Sequence, residues 1–91
     1  MRSVRLRITG RVQGVGYRAW AVETARRIGL RGWVRNRVDG SVEALATGDE
    51  DAVAAMLEAC REGPYAAHVS EVAVVEAEDD GSQGFAPRAT L

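Results

Sequence analysis

The 91-residue chain contains no lysine; all twelve basic residues are arginine. That absence removes a Walker-type phosphate loop, a Schiff base and a lysine general base. A single cysteine, Cys60, and a single histidine, His68, allow neither an internal disulfide nor a Cys/His metal cluster. No apolar run reaches the ~18 residues of a membrane span. Met1-Arg2-Ser3-Val4-Arg5 alternates like a strand and lacks the apolar block of a secretion signal. A chain with one cysteine and no leader is expected in a reducing cytoplasm, away from membranes. The five aromatic residues include no pair placed on a strand to stack bases, so no nucleic-acid partner is expected. Ninety-one residues make one domain, 1–91, with one small core.

A net charge of −1 conceals an asymmetry. Residues 1–45 hold ten arginines against Glu23, Asp39 and Glu43, whereas residues 46–91 hold Arg61 and Arg88 against ten acids. The halves are expected to pair in the fold, and the excess of arginine gives a field that draws in a small anion.

Periodicity divides the chain into elements. Val4, Leu6 and Ile8 alternate with Arg5, Arg7 and Thr9, a half-buried strand. From Tyr17 to Ile28 the apolar positions Tyr17, Ala21, Ala25 and Ile28 follow helical spacing, with Gly29 as the stop. Leu30 to Asn36 and Val42 to Thr47 are strands joined through Asp39-Gly40, a hairpin signal. A second helix is predicted from Asp49 to Glu62, with acids at its start and Val53, Met56, Leu57 and Cys60 as its apolar stripe. Val69, Val72 and Val74 mark a fourth strand, and Phe85 to Leu91 a short edge strand, because Pro87 cannot donate to a ladder. The order β-α-β-β-α-β predicts an α+β two-layer sandwich of ferredoxin-like type, an antiparallel sheet with two helices on one face.

Two segments carry chemistry. In Gly10-Arg11-Val12-Gln13-Gly14-Val15-Gly16-Tyr17-Arg18, three glycines lie between a strand and a helix. Such a loop turns its N–H groups toward one point, and the helix start adds more. Arg18 in the first turn opposes the helix dipole, a conflict that a bound anion removes. Its planar fork suits a phosphate. Gly14-Val15-Gly16-Tyr17-Arg18-Ala19 also fits a dinucleotide fingerprint, but the chain is too short for that fold, and the second strand leads into a hairpin. The second segment, Gly32-Trp33-Val34-Arg35-Asn36, ends a strand on an uncharged amide able to hold a water. Taken alone, Asn36 also suits a turn amide that satisfies local backbone. An anion cradle beside a water holder points to hydrolysis of a phosphorylated small molecule.

Together these segments resemble the acylphosphatase family. Gly10, Val12, Gln13, Gly14, Val15, Tyr17 and Arg18 are similar to its phosphate-loop signature, departing only at Tyr17, where Phe or Met is usual. Gly32 to Asn36, with Gly40, Val42 and Gly48, resembles its second signature, and the likeness extends over about residues 4–85. The resemblance implies a metal-independent, cofactor-free hydrolase of carboxyl-phosphate anhydrides, with inorganic phosphate as product or inhibitor and a monomer as its working form. It implies that Arg18 binds the phosphoryl group and Asn36 orients the attacking water. The backbone of Arg11, Val12, Gln13, Gly14, Val15, Gly16 and Tyr17 would hold the phosphate oxygens. The alternative is a non-catalytic small-molecule or protein-binding module on the same fold, since fold does not imply function. Cys60 is expected in the core, His68 in a solvated connection and Asp79-Asp80 in a solvated loop. Trp33 is expected on the strand face opposite Val34, covering either the sheet or the substrate side.

Overall fold

The computed structural model describes residues 1–91. In chain order the elements are β1 (Arg2–Arg11), α1 (Tyr17–Ile28), β2 (Arg31–Asn36), β3 (Val42–Gly48), α2 (Glu50–Glu62), β4 (His68–Glu76) and β5 (Phe85–Pro87). The five strands form one sheet in the order β4-β1-β3-β2-β5. β1 pairs antiparallel with β3 and β4, and β3 with β2. β5 joins β2 in parallel, which makes the ferredoxin-like sheet mixed at one edge. The direction follows from the connection. β4 ends at the end of the sheet where β2 begins, so the chain crosses from edge to edge and re-enters alongside β2.

Both helices pack on one face. The alternation in β1 sends Val4, Leu6 and Ile8 into the core, each at most 1% exposed, and leaves Arg5 and Arg7 outside. α1 contributes Tyr17, Ala21 and Ala25, and α2 contributes Val53, Met56 and Cys60, with Leu57 partly buried beside them. Gly29 closes α1 by donating its N–H to the carbonyls of Ala25 and Arg26, and Glu50 and Asp51 favour the start of α2. Burial pushes the Cys60 thiol up to about 11, so it stays protonated at neutral pH and serves packing. No helix is long and apolar enough to cross a membrane.

The helix-free face has a small core of its own. Trp33 is 2% exposed and Leu45 1%, yet neither belongs to the helix-side cluster. The guanidinium groups of Arg35, Arg88 and Arg5 stand 4.4, 4.9 and 5.6 Å from the Trp33 ring centre. The indole Nε1 donates to Asp80 at 3.1 Å. The Asp79-Asp80 loop is therefore fastened. Asp79 pairs with Arg31 at 2.5 Å, and Asp80 also faces Arg88 at 3.7 Å. His68 is exposed at the start of β4, within the ladder to Arg11.

Candidate active site

The loop between β1 and α1 is held at both ends by buried side chains. Val12 and Tyr17 are each 1% exposed. The Tyr17 hydroxyl donates to the Cys60 carbonyl at 2.7 Å, and its ring meets Trp20 edge-on at 5.2 Å. Burial, with the Cys60 contact second, raises the pKa of the phenol, which therefore stays a neutral donor. Between these anchors Gly14 and Gly16 have φ of +73° and +79°, while Val15 between them has an ordinary negative φ. Alternation of this kind bends successive N–H groups toward one side of the chain, the geometry of an anion nest. Gly16 is also the N-cap of α1; no side chain caps it, and no acid lies in the first turn. None of the backbone N–H groups from Val12 to Ala19 donates to another backbone group. Arg11 is the last residue of β1, so the free loop begins at Val12.

Arg18 projects from the first turn of α1 without a carboxylate partner. Nine of the twelve arginines pair with an acid within 4 Å; Arg11, Arg18 and Arg26 do not. An unpaired arginine above uncapped N–H groups makes the cavity at this end electropositive.

Asn36 ends β2 opposite Val42 of β3. The local backbone work that an asparagine could do there is done by other groups. Asp39 accepts from the N–H and the hydroxyl of Ser41 at 2.9 and 2.6 Å. These bonds lower the Asp39 pKa and keep it a carboxylate. Gln13, in the glycine loop, reaches across to donate through Nε2 to the carbonyls of Arg37 and Ser41 at 2.8 and 2.9 Å. The Asn36 Oδ1 is withdrawn from solvent and has no hydrogen-bond partner in the protein. A buried carbonyl oxygen left in that state costs about 1–3 kcal/mol.

Arg18 and Asn36, 18 residues apart in sequence, line one groove of about 870 Å³ together with Gly14, Gly16, Val12 and Tyr17. Arg11, Gln13 and Val15 lie outside its lining. The Gln13 side chain instead ties the loop to the hairpin that carries Asn36. Trp33 covers the opposite face of the sheet, not the groove. Sequence reading misses the far wall, formed by Val22, Glu23 and Arg26 of α1 with Pro87. The signal was present. Positions 18, 22 and 26 repeat every four residues, so they share one helix face beside the apolar stripe.

Comparison with known proteins identifies a family. Residues 4–87 match the acylphosphatase family. The chain is 52% identical over 91 residues to an acylphosphatase of Rhodospirillum rubrum, with 100% of both chains covered. It is 64% identical over 73 residues to an acylphosphatase of Rhodopseudomonas palustris, covering 80% of this chain and 74% of that one. The fold matches the crystal structure of acylphosphatase from Bacillus subtilis with a TM-score of 0.93 at 38% identity, covering 97% of this chain and 99% of that chain.

Proposed function

Because the chain belongs to the acylphosphatase family, we propose that it hydrolyses acyl phosphates through water held by Asn36 and a phosphoryl group held by Arg18 and the glycine-loop backbone. The observation that carries this reading is the pairing, in one groove, of an arginine with no carboxylate partner and an asparagine whose amide makes no hydrogen bond through its oxygen.

In this reaction water attacks phosphorus, the P–O bond to the acyl oxygen breaks, and a carboxylate and inorganic phosphate leave. A carboxylate is a good leaving group, so the barrier is met mainly by positioning and by stabilising charge on the phosphoryl oxygens. The Arg18 fork and the unused N–H groups supply that charge complement. Asn36 is neutral and cannot take a proton. Its amide can hydrogen-bond the water and so fix the direction of the water's lone pair. The proton passes to a phosphoryl oxygen of the substrate. Glu23 is the one carboxylate on the groove, and its nearest cation is Arg27 at 3.6 Å. Loss of the reaction in Glu23→Gln would move the proton to that carboxylate instead.

The test is hydrolysis of benzoyl phosphate in excess chelator, beside Arg18→Gln and Asn36→Ala. Wild-type turnover is expected to persist with chelator. Asn36→Ala should lower kcat by more than it weakens inhibition by inorganic phosphate; the opposite pattern would remove its role in holding water. A folded wild type that binds phosphate without turnover would establish the binding-module alternative.

A further inference from the structure

The groove continues beyond the phosphate loop, and its far end is built from a second unpaired arginine. Arg26 lies eight residues after Arg18, about 12 Å along the helix at ~1.5 Å per residue, on the same face. Of the three arginines without a carboxylate partner, Arg18 and Arg26 line this one groove. Arg26 is also pre-positioned. Its Nε donates to the Phe85 carbonyl at 2.9 Å, which fixes the guanidinium against β5. No protein acceptor engages its two terminal nitrogens. Between the arginines the wall carries Val22 from α1 and Pro87 from β5, with Glu23 beside them.

We propose that Arg26 forms an anion subsite for the acyl portion of the substrate, so that the enzyme favours acyl phosphates whose acyl group carries a second negative charge beyond a short apolar spacer. This rests on the phosphoryl group occupying the Arg18 end. The chemistry follows from the order of the lining groups. A phosphoryl group at Arg18 places the acyl chain along Val22 and Pro87, and a carboxylate at its far end meets the free edge of the Arg26 fork. Two parallel hydrogen bonds from a fixed guanidinium to a carboxylate lose little conformational freedom on binding. Glu23 lines the same stretch and limits the gain, since its carboxylate opposes a second anion; its proximity to Arg27 moderates that opposition.

The experiment compares kcat/KM for 4-carboxybenzoyl phosphate and benzoyl phosphate, each divided by its uncatalysed rate. The para-carboxylate is rigid and cannot cyclise onto the anhydride. A preference of about tenfold for the carboxylated substrate is expected in the wild type, the scale of one charge-assisted interaction at a partly exposed site. The ratio should fall to near one in Arg26→Gln and stay as in the wild type in Arg61→Gln, which removes the same charge from α2, outside the groove. Because each ratio is taken within one variant, any loss of stability from releasing Phe85 cancels. A wild-type ratio near one, or a preference that survives Arg26→Gln, overturns the subsite while leaving acyl phosphate hydrolysis intact. Failure of the wild type to hydrolyse either substrate overturns both readings.

Discussion

The two faces of the sheet use arginine in opposite ways. On the helix-free face, Arg5, Arg35 and Arg37 all meet Glu43, Arg7 meets Asp39, and Arg31 and Arg88 meet Asp79 and Asp80. Three of these cations also surround Trp33. In the groove on the other side, Arg18 and Arg26 face no such acids, apart from the single Glu23 that lies nearer Arg27. An arginine matched by a carboxylate and stacked on an indole is largely neutralised and serves packing. One left unmatched beside uncapped N–H groups keeps its field for a ligand. The excess of arginine in residues 1–45 is therefore two populations, and only position in the fold separates them.

The largest test of this contrast exchanges one member of each population. Arg18→Gln should cost about 10²–10³-fold in kcat/KM, as for loss of a donor to developing oxyanion charge. Arg35→Gln should leave kcat/KM within about twofold, because its charge is already matched by Glu43 and screened from the groove. Equal losses would break the contrast. Next in size is Trp33→Leu, which should lower unfolding free energy by about 2–3 kcal/mol through lost packing and the lost Asp80 bond, read as a shifted urea midpoint with turnover of the folded fraction retained.

A smaller effect is expected from Gln13→Ala, which sharpens the contrast from the groove side. Removing two hydrogen bonds from the Arg37 and Ser41 carbonyls should cost about 1–2 kcal/mol of stability. Turnover should drop by about tenfold with phosphate inhibition little changed, since the loop is left loose relative to Asn36. The smallest effect belongs to the exposed ion pairs and turns. Hydrogen bonds from Arg2, Arg31 and the Ser41 and Ser82 hydroxyls lower the pKa values of Glu76, Asp79, Asp39 and Asp80 respectively. Depressed carboxylates add stability that is complete above their ordinary range and is lost as pH falls through the lowered values. The urea midpoint should therefore hold between about pH 7 and 5 and decline below about pH 4, less so in high salt because these pairs are exposed.

Strong periodicity made the elements legible. Helix α1 begins and ends where the Tyr17 to Ile28 pattern does, and α2 begins one residue after Asp49. β1 runs further than its alternation, to Arg11, because a register shift at Thr9/Gly10 lets it keep pairing with β4. The parallel entry of β5 was not legible, since strand direction depends on where a connection lands and not on any local pattern. Arg18 and Asn36 could be singled out because glycines and a hairpin turn flank them. Gln13 was marked only for its backbone, although its amide does the bridging. The place of Arg26 and Pro87 on the groove was not legible together, because that wall is shared by elements far apart in sequence. The indole of Trp33 left its face open until the arginines around it were in place.

Docking of residues 85–91 has a consequence for how the site comes into being. Phe85 receives the Arg26 Nε–H, Pro87 walls the groove, the Arg88 N–H bonds to the Val34 carbonyl at 2.8 Å, and the Leu91 N–H bonds to the Asn36 carbonyl at 3.2 Å. The pocket is thus a junction between segments separated by about half the chain, and ordering it must wait for contacts of high sequence separation. A folding intermediate that has formed β1, α1 and the β2–β3 hairpin but not this seam would hold the glycine loop and Asn36 with an unfinished wall. Competence would arrive with the last seam to close, so recovery of activity on refolding would report the final ordering step and not the collapse that precedes it.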